Sequence, residues 1–270
     1  MPGPLSILFG AFVGFALGLT GGGGSLLAVP LLVYGLAIAP RDAFGISLAA
    51  VGTMALAGVI PKLRNRQVEI GTGVLFAVAG MAGAPIGTWV AGQIPESVLL
   101  ILFAVLMLIV AVQMWIKAKT PAALAAACDD EEDGPTCRRS ETGELRLTSK
   151  CAVLLVAVGL LTGFLSGMFG VGGGFVIVPA LVLFSGMPIR RAIATSLLVI
   201  VLVSISGVSS HFLAGREIPL DVTGLFVLGG VLGMQVGSFL GKRLSAPVLQ
   251  KVFAAGIVAV AVYIGTKTLV

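Results

Sequence analysis

Two glycine runs carry the most direct chemistry in this sequence. Gly21-Gly22-Gly23-Gly24 is followed by Ser25, and Gly170-Val171-Gly172-Gly173-Gly174 by Phe175. Consecutive glycines let a backbone bend where a Cβ would clash. They also leave amide N–H groups exposed at the start of the helix that follows. Such a terminus carries partial positive charge and attracts anions. Two of them facing each other would flank one small oxyanion. The competing reading of the same glycines is tight helix packing with no ligand.

Other polar residues could complete such a site. Ser47 and Ser196 sit inside apolar runs, with Thr195 beside the latter, while Thr20, Ser25 and Ser166 border the glycine runs. A site in hydrocarbon needs neutral donors, because fixed charge is costly there. Hydroxyls in such helices can also simply bond their own i−4 carbonyl. Arg41, Arg190 and Arg191 open apolar runs. Guanidinium matches an oxyanion with two parallel hydrogen bonds, so these arginines either gather anions at two vestibules or anchor helix ends. His211 is the one histidine. Imidazole titrates near neutral pH, which makes it a possible proton site, or a structural residue at a helix end. Gln235, within an apolar run, either joins helices or reads the ligand.

No enzyme chemistry stands beside this. Gly22-Gly23-Gly24-Ser25 with His211 has a superficial likeness to a serine hydrolase, but nucleophile and base need hydrogen-bond reach and one tetrapeptide does not supply it. There is no phosphate-binding lysine loop of the ATPase kind. Cys128, Cys137 and Cys151 have no histidine nearby and no zinc spacing, so neither metal nor cofactor is expected.

The elements that position these residues follow from composition. Of 270 residues, 57% are hydrophobic and 11% charged, with a mean hydropathy of +1.11. Soluble domains carry about 25% charged residues, so a soluble enzyme or a nucleic-acid binder is excluded. The apolar runs are too long and continuous for barrel strands of about 10 residues. An all-α integral membrane protein is predicted. The runs are Leu5–Thr20, Ser25–Ile38, Arg41–Pro61, Ile70–Ala91, Ser97–Ile116, Cys151–Phe169, Phe175–Met187, Arg190–Ala214, Leu220–Gly241 and Pro247–Leu269. Ser25–Ile38 and Phe175–Met187 each cover about 20 Å, short of a hydrocarbon core of about 30 Å. Each follows a glycine run, as the second arm of a broken or re-entrant helix would.

The chain repeats. Residues 14–33 align with 163–182 without gaps, and the pairing continues through Arg41/Arg190, Ser47/Ser196 and Gly58/Gly207. After one inserted residue it resumes at Gly80/Gly230, Gly83/Gly233 and Gly87/Gly237. This divides the chain into a first repeat, 1–116, an acidic linker, 117–150, and a second repeat, 151–270. Five segments per half is an odd number, so the second repeat is predicted to be inverted in the membrane. Inverted repeats with broken helices near the midplane are the architecture of secondary transporters.

Charge sets the orientation. Alternating crossings leave Arg41, Arg216 and Lys267 on the face of the N-terminus and the other 14 of 17 basic residues on the opposite face. The positive-inside rule makes that opposite face cytoplasmic, with the linker inside, its thiols reduced, and both termini outside. The glycine faces Gly10-x3-Gly14-x3-Gly18-x3-Gly22 and Gly229-x3-Gly233-x3-Gly237-x3-Gly241 read as helix seams, which could also serve a homo-oligomer.

The paired motifs resemble the sulfite exporter TauE/SafE family: Gly18-Leu-Thr-Gly-Gly-Gly-Gly24 ahead of Pro30, and Gly167-Met-Phe-Gly-Val-Gly-Gly-Gly174 ahead of Pro179. The Arg-containing starts at Arg41-Asp-Ala43 and Arg191-Ala192-Ile-Ala-Thr-Ser196 add to the likeness, as does His211 followed by Gly215. The resemblance covers nearly the whole chain except the linker. It implies export of sulfite or a related small sulfur anion across the bacterial inner membrane. The first copy departs from it at Ser25, where the second has Gly174, and at Lys62, where the second has His211. A permease for other small anions or organosulfonates, and a non-transporting membrane scaffold, are the alternatives. The substrate-binding set is then Gly21, Gly22, Gly23, Gly24, Ser25, Ser47, Gly170, Gly172, Gly173, Gly174, Thr195, Ser196, Arg41, Arg190, Arg191 and Gln235.

Overall fold

A computed structural model describes residues 3–119, 149–215, 219–241 and 258. The acidic part of the linker, with Cys128 and Cys137, and all of Pro247–Leu269 but residue 258 lie outside the described residues.

The described chain is helical throughout, as hydrocarbon demands of a backbone that must satisfy its own hydrogen bonds. Its elements are α1 (Gly3–Thr20), α2 (Gly23–Gly35), α3 (Pro40–Arg64), α4 (Ile70–Gln93), α5 (Glu96–Lys119), α6 (Ser149–Phe169), α7 (Gly174–Ser185), α8 (Ile189–Leu213) and α9 (Leu220–Leu240). Six of them, α3, α4, α5, α6, α8 and α9, are long and apolar enough to cross a membrane. Helices α5 and α6 overrun the expected linker limits by a few residues at each end. Prolines mark helix starts: Pro40 opens α3, Pro188 caps α8 and Pro219 caps α9. An absent N–H costs nothing there.

The two short helices differ. Helix α7 is regular and is bracketed by left-handed glycines, Gly173 (φ 69°) and Gly186 (φ 59°). Helix α2 changes winding twice. It runs as a 3-10 turn over Gly23–Leu27, an α turn over Ala28–Pro30 and a π turn over Leu31–Gly35. In the π turn Leu36 N reaches five residues back to Leu31 O, at 3.2 Å.

Helices α3 and α8 form the centre, with 72% and 61% of their apolar windows buried, against 50% or less for the other four. They cross antiparallel, with Gly52 against Ser204, Gly58 against Leu197 and Gly207 against Leu48. Around them stand two glycine seams. Helix α1 lies parallel to α9, with Gly10 on Phe226, Gly14 on Gly230 and Gly18 on Met234. Helix α6 lies parallel to α4, with Gly159 on Phe76, Gly163 on Gly80 and Gly167 on Ala84. In each pair the glycine faces a carbonyl, and an added Cβ would overlap it. Such backbone approach gains dispersion and Cα–H···O contacts that lipid cannot match.

Helix α9 also runs parallel to α3, and α8 parallel to α4. Met54 and Met234 fill the notches at Gly230 and Gly58, while Val203 fills the notch at Gly80. Helices α1, α3 and α9 therefore run one way, and α4, α6 and α8 the other. Shifting residues by the 149 or 150 separation exchanges the seams, so that Gly14–Gly230 becomes Gly163–Gly80. The oligomer expectation changes as a result. The two Gly-x3-Gly faces are consumed by each other inside one chain, so a second copy would need a different surface.

Candidate functional site

The glycine breaks meet at the centre of the molecule. After α1 the chain turns at Gly21 (φ 72°), whose N–H closes α1 on Leu17 O at 2.8 Å. After α6 it turns at Gly170 (φ 67°), closing on Ser166 O at 2.8 Å, and continues through Gly172 and Gly173, both at φ 69°. Positive φ at three of four consecutive positions is open to glycine and strained for any L side chain. The breaks touch directly: a Cβ on Gly174 would stand 2.6 Å from Gly22 Cα. The central helices hold them from either side. Ile193 of α8 lies over Gly21, Phe44 of α3 lies over Gly170, and Gly172 sits between Val51 and Ile200.

Hydrogen bonding separates the two breaks. Around the first, every hydroxyl is used. Thr20 Oγ1 donates to Ala16 O at 2.8 Å and accepts from Gly24 N at 3.2 Å. Ser25 Oγ donates to Gly22 O at 2.7 Å. Ser196 Oγ lies 2.9 Å from both Gly21 O and Ile193 O. Around the second break three hydroxyls have no partner among the described residues. They are Ser47 and Ser166, both 0% exposed, and Ser204, 3% exposed. Ser47 shares a face of α3 with Phe44 and Val51, which touch Gly170 and Gly172. Ser204 lies one turn beyond Ile200 and beside Gly52. A buried hydroxyl without a partner costs about 1–3 kcal/mol. The amides of Gly22, Gly23, Val171, Gly172 and Gly173 likewise donate to no acceptor among the described residues. Among the described residues the second break thus has unpaired amides at Val171, Gly172 and Gly173, with the unpaired hydroxyls of Ser47, Ser166 and Ser204 on the helices about it, all of them neutral donors.

The remaining expected residues are placed elsewhere. Thr195 Oγ1 accepts the Glu69 N–H at 3.0 Å and so caps α4, while Glu69 Oε1 accepts from Thr72 at 2.7 Å. Arg41 is tied to the α4–α5 turn. Its Nη2 donates to Ile94 O at 3.0 Å and its Nε stands 3.6 Å from Glu96 Oε1. Arg190 and Arg191 are exposed at the start of α8, and His211 is buried near the end of it. Gln235 faces a different space, a cavity of about 280 Å³ between the ends of α3 and α9. Cys151, fully buried in the first turn of α6, is disulfide-bonded, a departure from the reduced thiols expected beside the linker. No cluster of metal-ligating side chains occurs among the described residues.

Ser204 is the site residue that sequence reasoning passed over. Its counterpart in the first repeat is Ala55, so repeat matching gives it no weight. The signal for it was a serine one turn beyond Ile200, directly after the apolar stretch 197–203.

The relatives that comparison finds are described as membrane transporter proteins. A protein from Xylella fastidiosa strain Temecula1, named a probable membrane transporter protein, is 37% identical over 261 residues, covering 94% of this chain and 92% of its own length. Bacillus subtilis YunE, with the same description, is 26% identical over 269 residues, covering 97% of this chain and 95% of its own. The Methanocaldococcus jannaschii protein MJ0441, again a probable membrane transporter protein, is 28% identical over 255 residues, covering 92% and 87%. No solved structure matches the chain. The family model described as sulfite exporter TauE/SafE matches residues 6–264, and with that span covered this chain belongs to the TauE/SafE family.

Proposed function

We propose that this protein is a secondary carrier that exports a small sulfur oxyanion, sulfite foremost, across the plasma membrane. The observation that carries this reading is the second glycine break. There, three buried hydroxyls on the surrounding helices and the amides of Val171, Gly172 and Gly173 have no acceptor among the described residues. A site in hydrocarbon that offers only neutral donors suits an anion that must be bound and then released, since a fixed cation would hold it. The family's description supplies the sulfur oxyanion, and the relatives' descriptions supply transport.

The two halves are read as an inverted repeat. Opposed helix directions and exchanged glycine seams support it, and so does the odd number of segments per half. Alternating access then follows from giving each break in turn the hydrogen bonding that the other has now. The distribution of the basic residues favours a linker inside and termini outside.

The test is counterflow of sulfite, sulfate, thiosulfate, taurine and phosphate in proteoliposomes, with thermal shifts on the same protein. A bound substrate raises apparent stability by mass action. Sulfite transport with sulfite stabilisation is the expected result. Stabilisation by taurine in place of sulfite would move the assignment to organosulfonates. A well-folded protein that neither moves nor binds any of the five is a scaffold.

A further inference from the structure

The unpaired groups about the second break are of two kinds. An amide N–H only donates, whereas a hydroxyl donates and accepts. Ser204 is the hydroxyl whose geometry reaches the break. Its Oγ stands 3.9 Å from where a Cβ on Gly172 would lie and 3.0 Å from where one on Gly52 would lie. It is 3% exposed and has no partner among the described residues. A Cβ on Gly52 would stand 2.6 Å from the serine's own Cβ, so glycine there is what lets α3 close over this hydroxyl.

The helices about the break bring it no charge. Residues 3–40, 43–61, 70–95, 97–116, 151–189 and 192–210 contain no Asp, Glu, Lys, Arg or His. The charged and titratable groups of the packed helices sit at their ends. On α3 they are Arg41, Asp42, Lys62 and Arg64. On α8 they are Arg190, Arg191 and His211. Helix α5 has Glu96, Lys117 and Lys119, and α6 has Lys150 with the disulfide-bonded Cys151. Helix α2 has only Tyr34, and α1, α4 and α7 have none. Asp42 is exposed, and Arg41 is turned to Ile94 O and Glu96. Along α8, His211 lies about 10 Å from Ser204 and Arg191 about 20 Å. The apolar run 247–269, outside the described residues, has Lys251 and Lys267 near its two ends and no charge between them.

We infer that the second break takes its oxyanion as a singly charged species that keeps one proton, hydrogensulfite and not the sulfite dianion. Ser204 accepts the hydrogen bond of that proton, and the amides donate to the bare oxygens. The inference rests on the anion-carrier reading and deepens it by naming the charge state. The idealised cost of taking an ion out of water grows with the square of its charge, so a dianion costs about four times what a monoanion does. A handful of neutral donors is matched to the smaller cost. The same argument rejects sulfate, which stays doubly charged throughout the physiological range. Sulfite exchanges this proton near neutral pH, so both charge states are present in a cell. The proton then travels on the substrate. Each turnover carries one negative charge outward, down a membrane potential that is negative inside.

The test separates the proton of the ligand from those of the protein. The full chain in phosphatidylcholine nanodiscs is titrated with sulfite, selenite and sulfate over about pH 6–9, with affinity read by calorimetry. Selenite has the pyramidal shape of sulfite and holds its proton to a higher pH. Affinity for total sulfite should fall about tenfold per pH unit above the pKa of that acid, and the selenite profile should break at a correspondingly higher pH. Sulfate should not bind anywhere in the range. Ser204→Ala should weaken sulfite and selenite about threefold to tenfold, with its melting temperature unchanged or raised. Two profiles that break at the same pH put the titration on the protein and overturn the inference. A sulfite profile that is flat or rises with pH, or sulfate bound alongside sulfite, also overturns it and leaves the sulfite carrier standing. Unchanged affinity in Ser204→Ala overturns the role of that hydroxyl. Selenite bound with its own break, by a protein that ignores sulfite, upholds the charge state while the sulfite assignment falls.

Discussion

Ser196 Oγ stands 2.9 Å from Gly21 O, tying the central helix α8 to the first glycine break. Ser47, its repeat partner on α3, is just as buried and makes no such bond to Gly170. The same residue type in the same register thus holds one break and leaves the other unheld.

That difference predicts opposite signs for two matched substitutions. Ser196→Ala removes a made hydrogen bond and should lower stability by about 0.5–1.5 kcal/mol. Ser47→Ala removes an unpaired hydroxyl and should leave stability unchanged or raised, while weakening sulfite roughly threefold to tenfold. Melting temperature and sulfite affinity on the same preparations check both. A Ser47→Ala protein that melts early and binds normally would mean that the hydroxyl is structural.

The glycines of the two breaks should also differ. Gly172 combines φ 69° with a Cβ path that ends 3.1 Å from Val51 and 3.2 Å from Ile200. Gly23 has ordinary φ, and its nearest neighbour is Thr20 Oγ1 at 3.3 Å. Gly172→Ala should cost on the order of 1–3 kcal/mol through backbone strain, and Gly23→Ala well under half of that. Thermal melts in detergent decide it. Equal losses at the two positions would remove the distinction.

At the seams the sequence tolerates least. Gly14→Val would drive its Cβ into the Gly230 carbonyl, and Gly163→Val into that of Gly80. Both should fail to give a monodisperse protein. Gly71→Ala and Gly224→Ala, where nothing lies within 4 Å, should be silent. Size-exclusion profiles of the four variants make the comparison.

Orientation can be read from two exposed glutamines. In a chain with its three cysteines replaced by serine, Gln93→Cys should react with an impermeant maleimide on intact cells and Gln67→Cys only after lysis. The basic residues favour this sidedness. The disulfide at Cys151 pulls the other way, because disulfides persist in oxidising compartments. Labelling of Gln67→Cys from outside would reverse the topology.

Much of this architecture is legible in the sequence, because hydrocarbon leaves few options. Among the described residues the apolar runs give the helices to within about three residues at each end, and glycine spacing gives the seams. What periodicity does not give is which glycine face meets which. The stripes on α1 and α9 carry the same signal as those on α4 and α6, and only the packed chain pairs them. Thr195 shows a second limit. Beside Ser196 it looks like a ligand residue, yet its hydroxyl is spent on the α4 N-terminus. A donor inventory without partners cannot separate the two. The cavity at Gln235 shows a third, since its walls come from residues about 170 apart in the chain.

The seams join α1 to α9 and α4 to α6, one helix from each repeat in either pair. Neither repeat can therefore cover its own glycine face. During synthesis the face of α1 must wait for a partner some 200 residues downstream, so the amino-terminal half enters the bilayer before it can finish folding. A covalent join between the halves then keeps a half-built protein beside the half it needs. Two polypeptides cut within the linker should assemble only when made together, and each alone should be a substrate for quality-control proteolysis.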